Sequence, residues 1–345
     1  MKDVLLKLTA RQNLSEEEIN DFISRVREGR ISNIQIAGFL VGLLMKGPTT
    51  AEVAAIARAM RRNSVSIQPK VSDGLTDTCG TGGGLTTFNV STANALLAAA
   101  GGVYIAKHGS KSISASSGSA DALEALGVAV ELEPHQAERM IEETGFSFLY
   151  APLFHPVMLK VFGPENELGI KTIFFTIIGP LINPAGARRH VLGVYRPELV
   201  EQVAEVALEL DFEHALIVHG LDGLDEISLL GETKVAEVKG GKVDHYTICP
   251  EDFGMTRCTL EDVKGGSPEY NAGVIRDIFA GKDRGAKRNM LVLNAAAAFL
   301  VGGRVSNLEQ GIKLAEETLD SGRALAKLEE IIAKSQAIKR ERASK

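Results

Sequence analysis

The feature that most limits how this chain can fold is an alternation that starts near Leu75. A short apolar segment, a glycine- or serine-rich loop and a helical stretch recur in that order. Residues 75–79, 103–107, 128–132 and 148–151 read as strands, and 91–100, 119–126 and 135–143 read as helices. Strands separated by helices imply a parallel sheet with helices on its faces. The alternation resumes with a strand over 190–195, a helix over 197–210 and a strand over 215–219. Gly240-Gly241 then joins 234–237 to 242–247 as a hairpin. The remainder is mostly helical, notably 286–301 and 308–334. On such a sheet, ligands bind beyond the carboxyl ends of the strands. The loops after 75–79 and 103–107 are therefore where chemistry is expected.

The first seventy residues carry no strand signal. Ser15 followed by Glu18 is a capping-box pattern, and Ile19, Phe22, Ile23 and Val26 follow at helical spacing. A helix over 33–45 closes at Lys46-Gly47-Pro48, and Thr49 or Thr50 caps another over 51–63. Residues 157–176 also read as helical, until Gly179-Pro180 and Asn183-Pro184 break the chain. No Pro-, Ser- or charge-rich linker and no internal repeat divides the sequence.

Composition removes several function classes. With 38 Lys+Arg against 44 Asp+Glu the net charge is −6, which argues against a general nucleic-acid coat. The basic end (Lys339, Arg340, Arg342, Lys345) reads as a solvated helix terminus that complements the helix dipole. No apolar run is long and unbroken enough to span a membrane, and the N-terminal stretch lacks a signal-peptide h-region. Cys79, Cys249 and Cys258 match no zinc spacing; a reducing, cytoplasmic setting is expected.

Three loops concentrate chemistry. Gly80-Thr81-Gly82-Gly83-Gly84 lies between a strand and a helix, where bare backbone can approach an anion and aim N–H groups at it. Asn89-Val90-Ser91-Thr92 opens the helix, whose N-terminus favours phosphate. It is neither a Walker loop nor a dinucleotide fingerprint. The second loop, Lys107-His108-Gly109-Ser110-Lys111, continues through Ser114, Ser116, Ser117 and Gly118 to Ser119, and reads as a second anion subsite. His108 alone reads as a structural loop residue. Two adjacent subsites suit a ligand with phosphates at both ends. In the third, His219-Gly220-Leu221-Asp222-Gly223-Leu224-Asp225-Glu226, the adjoining carboxylates Asp225 and Glu226 are hard oxygen donors that suit Mg²⁺ alongside phosphate oxygens.

The ordered set DTCGTGG…TFNVST, KHG…GSADALEALG, HP, LGIKTIF…GPLINP and HGLDGLDEIS, with LNAAAA near 293–298, resembles the anthranilate phosphoribosyltransferase family over nearly the whole chain. The resemblance implies a small helical domain (1–69 plus about 157–186) and a larger α/β domain (about 70–156 plus 187–345) with a mainly parallel sheet. It also implies homodimers formed through the helical domain and an active site between the two domains. Phosphoribosyl pyrophosphate with Mg²⁺ would be the donor, and the amine of anthranilate the acceptor, in tryptophan biosynthesis. Carried over, Gly80, Thr81, Gly82 and Gly83 would hold the donor, and Asn89, Ser91 and Thr92 would contact phosphate. Lys107 would bind pyrophosphate with Ser119 supporting it, and Asp225, Glu226 and Ser91 would lie at the metal. His155-Pro156 and Gly179-Pro180 would line the acceptor route. Catalysis would be chiefly electrostatic stabilisation and positioning as pyrophosphate leaves, ribose C1 gains oxocarbenium character and the amine attacks.

The departures from the family pattern gather at the ligand. Gly84 stands where the family has Asp, Ser110 where an Asn meets the acceptor, and Ser116 where Lys is usual. Glu165 aligns with the Arg that binds the anthranilate carboxylate, and Phe174-Phe175 replaces Phe-Asn. An Arg presents a fork of donors to a carboxylate, whereas a Glu there would repel it. Two acceptors are therefore expected: anthranilate, with its carboxylate met by Lys111, Lys160 or Lys171, or an altered, non-carboxylate amine. A non-catalytic nucleic-acid-binding paralogue would need a basic groove. A nucleoside phosphorylase of the same broad fold is disfavoured by the Asp225-Glu226 pair.

Overall fold

The computed structural model describes residues 1–112 and 116–343. Its centre is a seven-stranded sheet made of β1 (Thr76–Asp77), β2 (Ile105–Gly109), β3 (Phe146–Tyr150), β4 (Arg189–Gly193), β5 (His214–Gly220), β6 (Thr233–Lys239) and β7 (Lys242–Ile248), in the order β3-β2-β1-β4-β5-β6-β7. β1 to β5 pair in parallel, and β6 and β7 are an antiparallel extension. The chain steps from β1 outward to β2 and β3, then returns to β4 on the other side of β1. That reversal leaves a crevice beyond β1 and β4, the usual ligand position in such sheets. β5 is buried along its whole length, as expected of a strand covered on both faces.

The N-terminal helices Glu16–Glu28, Asn33–Lys46 and Thr50–Arg62 each begin with a capping box: Ser15 with Glu18, Ser32 with Gln35 and Thr49 with Glu52. Glu52 goes further. Its carboxylate also accepts from the Leu14 N–H and pairs with Lys46 at 2.7 Å, both side chains buried. These helices share one apolar core with Pro156–Leu168, with Leu199–Glu209 and with one face of β4 and β5. The other face of the sheet packs on Val90–Ala100, Ala286–Val301 and the two C-terminal helices.

Three sequence expectations are corrected. Residues 128–132 form no strand: Val128, Ala129, Val130 and Leu132 are buried, but the Ala129 N–H donates to the Ser335 hydroxyl and not to a sheet neighbour. Their apolar run is satisfied by the last helix, and β2 pairs with Phe146–Tyr150 instead. The helix expected over 157–176 ends at Leu168, where Gly169 takes a left-handed conformation (φ 67°), and turns follow. The helix expected over 308–334 is two, Leu308–Asp320 and Arg323–Ala343, split at Gly322 (φ 77°). Lys345 of the basic end lies outside the described residues, as does Ser114 of the second loop.

Candidate active site

A cleft of about 700 Å³ opens beyond the carboxyl ends of β1, β2, β4 and β5, faced by the helical segment around residues 155–180. Its floor is assembled by backbone contacts too close for side chains. A Cβ on Gly193, at the end of β4, would lie 1.7 Å from the Asp225 carbonyl oxygen, and one on Gly80 would lie 2.9 Å from the Gly193 carbonyl. A Cβ on Gly84 would sit 2.6 Å from Asp225 Oδ1 and 2.9 Å from the Gly223 carbonyl. The loops after β1, β4 and β5 thus touch through glycine, and Gly84 is the residue that lets the glycine loop lie on the acidic turn. The Thr81 N–H donates to the Gly193 carbonyl, and the Tyr195 N–H donates to the Thr81 hydroxyl. Gly82 and Gly83 hold positive φ, 64° and 92°, a conformation readily open to glycine.

Asn89 caps the next helix in a left-handed conformation, φ 59° and ψ 48°. A non-glycine residue needs outside support there, and its side-chain amide receives it. Asn89 Oδ1 accepts from the Ser117 hydroxyl (2.9 Å) and from Asn271 Nδ2 (2.7 Å), while its Nδ2 donates to the Ser117 carbonyl. Asn89 lines the cleft, but its amide is spent joining the glycine loop's helix to the serine-rich loop at Ser117. Ser91 lines the cleft beside it; Thr92, expected at phosphate, is fully buried and does not. Its side chain points into the core because it lies one residue further round the helix.

Lys107 is buried on β2, and its ammonium donates to the Thr78 hydroxyl at 3.3 Å. Thr78 in turn donates to the Ser91 carbonyl. Ser110 and Ser119 line the same wall, with Gly109 between β2 and Ser119: a Cβ there would lie 2.4 Å from Ser119 Oγ. Opposite, Asp225 and Glu226 are half-buried and face the cleft. Burial raises the pKa of both. Glu226 is pushed up to about 8 by burial and by the adjoining Asp225, against the opposing pull of Lys107 and the Ser91 N–H. Two carboxylates that ionise reluctantly side by side form a place where a cation is favoured. Among the described residues no three His, Cys, Asp or Glu side chains converge. A divalent ion here would take the two carboxylates, the Ser91 hydroxyl and oxygens of a bound ligand, a donor set that fits Mg²⁺.

The other end of the cleft, around His155 and Gly179, is built differently. His108 Nδ1 pairs with the Gly179 carbonyl at 3.1 Å, and its ring meets His155 edge-on at 4.9 Å. Burial holds the pKa of both histidines down, His155 well below the imidazole range. Both ring nitrogens of His155 and Nε2 of His108 are buried without a protein partner. Gly179 and Pro180 line this end with Phe162 and Phe175, whose rings lie 5.7 Å apart, and with Lys171 over Phe175 at 5.1 Å. Glu165 is the correction. It is 2% exposed and lies outside the cleft lining, and its Oε1 accepts from the Thr172 N–H. It therefore presents no charge to an acceptor. Lys160 is turned away too, its ammonium donating to the Arg27 carbonyl.

Asp77, just before the glycine loop, was missed as a site residue. Its Oδ1 accepts from the N–H groups of Thr78, Cys79 and His108, and its Oδ2 from Asn183 Nδ2. One buried carboxylate thereby fastens β1 to β2 and to the Asn-Pro break after Pro180. Its place in the DTCGTGG run was the available signal. Tyr195 and Arg196, after β4, also line the cleft, and no motif marked them.

An open, mostly parallel sheet, with a glycine loop, a buried lysine and paired carboxylates gathered at its switch point, places the protein in the α/β class. Family models described as the glycosyl transferase family, helical bundle domain and a/b domain, match residues 2–64 and 72–325. An anthranilate phosphoribosyltransferase of Acetivibrio thermocellus is 49% identical over 333 residues, 96% of each chain. The crystal structure of anthranilate phosphoribosyltransferase from Thermus thermophilus superposes with a TM-score of 0.90 at 42% identity, covering 97% of this chain and 99% of that one. The Saccharomyces cerevisiae enzyme, solved with PRPP (phosphoribosyl pyrophosphate) and Mg, gives 0.87 at 28% identity, covering 97% of each. The chain belongs to the anthranilate phosphoribosyltransferase family.

Proposed function

We propose that this protein moves 5-phosphoribosyl from phosphoribosyl pyrophosphate to the amine of anthranilate, a step of tryptophan biosynthesis. The observation that carries the reading is the convergence, in one cleft, of the glycine loop, Lys107 and the Asp225-Glu226 pair opposite an aromatic wall. Gly80, Thr81, Gly82 and Gly83 would cradle the donor with backbone N–H groups. Ser91, at the helix N-terminus, and Ser119 add hydroxyls. Lys107, braced by Thr78, would meet the departing pyrophosphate. Asp225, Glu226 and Ser91 would hold Mg²⁺, which when bound neutralises charge on the pyrophosphate oxygens. In the transfer, the bond from ribose C1 to pyrophosphate breaks, the amine nitrogen bonds to C1, and the amine loses a proton. The acceptor would lie between Gly179-Pro180, Ser110 and the neutral His155, whose unpartnered ring nitrogens include an acceptor for amine N–H. The chemistry rests on preorganised charge and positioning rather than an activated nucleophile.

The helical unit is proposed to comprise 1–69 with about 157–186, around an α/β unit of about 70–156 and 187–345, and to pair with a second copy. Ile34 is 84% exposed and Met45 68%, and both lie on the helix Asn33–Lys46, so this surface carries large apolar side chains that a partner would cover. No helix among the described residues is long and apolar enough to cross a membrane.

The decisive assay follows loss of anthranilate fluorescence with phosphoribosyl pyrophosphate and Mg²⁺. Turnover that needs all three components is expected. Donor binding without consumption of anthranilate would instead indicate a different amine.

A further inference from the structure

We propose that Asn94 belongs to the metal site: its side-chain carbonyl accepts a hydrogen bond from a water of the Mg²⁺ that Ser91, Asp225 and Glu226 would hold. This rests on the reading of the cleft as a phosphoribosyl-transfer site that works with Mg²⁺. Asn94 is 1% exposed and lines the cleft, and its Oδ1 has no protein partner. It sits in the helix Val90–Ala100, whose other buried residues, Thr92 apart, are Val, Ala and Leu. A buried amide oxygen left unpaired costs stability, and alanine there would favour the helix. The packing of this helix does not call for the amide, so the oxygen is kept for something that enters the cleft.

What enters must bring a hydrogen to that oxygen, and its place in the helix says which kind. Asn94 follows Ser91 by three residues, so the two share a face, with Cβ atoms about 5–6 Å apart. The Ser91 N–H is directed at the Glu226 carboxylate, and Ser91, Asn94, Asp225 and Glu226 all line the cleft. The donors already there are turned elsewhere. The Thr78 hydroxyl donates to the Ser91 carbonyl, and the Lys107 ammonium donates to Thr78. Ionised carboxylates only accept, as do the oxygens of pyrophosphate. A metal-bound water donates, and Mg²⁺ held by one or two carboxylates and phosphate oxygens usually keeps several waters. Groups that hold a metal's ligands from behind fix their orientation. Asn94 is thus a positioning residue, which touches the metal only through water and sets where that water lies.

The test is calorimetric titration of Mg²⁺ into wild type, Asn94→Ala and Asn94→Asp in the presence of pyrophosphate, alongside thermal melting of each protein without ligands. Asn94→Ala is expected to weaken Mg²⁺ binding about tenfold, the lower end of what losing such an outer contact costs. Asn94→Asp keeps an acceptor and should bind Mg²⁺ at least as tightly as wild type. Ligand-free Asn94→Ala should melt at or above the wild-type temperature, because it sheds an unpaired buried oxygen; an asparagine needed by the fold would give the opposite. Unchanged Mg²⁺ affinity in Asn94→Ala, no recovery in Asn94→Asp, or an Asn94→Ala protein that melts lower or does not fold overturns the proposal and leaves the transferase reading intact. Normal binding of Mg²⁺ with pyrophosphate but weak binding of phosphoribosyl pyrophosphate in Asn94→Ala also overturns it, and gives the oxygen to a ribose hydroxyl. If wild type binds no Mg²⁺ with pyrophosphate, the reading of the cleft as a metal-assisted transferase site and this proposal fall together.

Discussion

The two walls of the cleft are made in different ways. The proposed donor wall is a meeting of strand ends, where loops after β1, β4 and β5 touch through Gly80, Gly193 and Gly84 and that backbone contact sets the place of the Asp225 and Glu226 carboxylates. The proposed acceptor wall is a helix end and a turn, where Glu165 is buried away from the cleft and Phe175 lines it. Backbone contact at a strand end leaves little freedom, so the donor wall tolerates almost no change of residue. After Gly169 the side chains decide, so a changed residue such as Glu165 can turn inward onto the Thr172 N–H without altering the fold. The difference teaches that a departure from the family pattern means opposite things on the two sides: Gly84 is a packing necessity, and Glu165 is a rearrangement.

The largest effect should come from the donor wall's charges. Asp225→Asn or Glu226→Gln is expected to lower kcat/KM by about 10²- to 10³-fold, the scale of removing one preorganised electrostatic contact, with anthranilate affinity little changed. Steady-state kinetics at saturating Mg²⁺ check this, and equal losses on both substrates would blur the division between the walls. Next comes Gly84→Asp, which restores the family residue. With a Cβ 2.6 Å from Asp225 Oδ1, it should destabilise by about 1–3 kcal/mol, as overpacking does, and reduce activity, not improve it. Chemical denaturation together with the fluorescence assay reads both effects.

A smaller effect is the dependence of stability on pH. The folded pKa of Glu226 is raised from the ordinary 4.5 to about 8, so the folded chain binds this proton more tightly than the unfolded one. Its contribution to stability is complete below about 4.5 and is lost as pH rises toward 8; Asp225, shifted in the same direction by burial, adds to the trend. The melting temperature of the ligand-free protein should therefore fall across that window. Glu226→Gln should flatten the fall, and Mg²⁺ with pyrophosphate should reverse it. A Glu226→Gln profile parallel to wild type would show that the acidic turn is not where the field is concentrated.

Much of the fold could be read from the sequence because its signals are local. Ser15 with Glu18 marked a helix start, and glycine after a short apolar run marked the ends of β1 and β5, whereas the strand expected over 190–195 ran past Gly193, where β4 ends. The strand expected over 128–132 failed because an apolar run of five does not say whether a sheet or a helix will cover it; Ser335, two hundred residues away, decides. Asp77 was visible in its motif but not its role, since its partners Asn183 and His108 are distant in sequence. Thr92 was read as a ligand residue because spacing places it near the helix start but not on its outer face. Glu165 was misread for a related reason: aligning a residue with an Arg fixes its position along the helix, while burial and the Thr172 N–H determine where its carboxylate goes.

The most direct test of the contrast between the walls is the anthranilate KM of Glu165→Gln. A glutamine still accepts from the Thr172 N–H and removes only the charge. With the side chain turned away from the cleft, the KM should stay within about twofold of wild type, far less than the 1.4 kcal/mol that a tenfold change represents. A marked fall in KM, meaning tighter anthranilate once the charge is gone, would contradict the account, because it would show that Glu165 faces the acceptor and repels it.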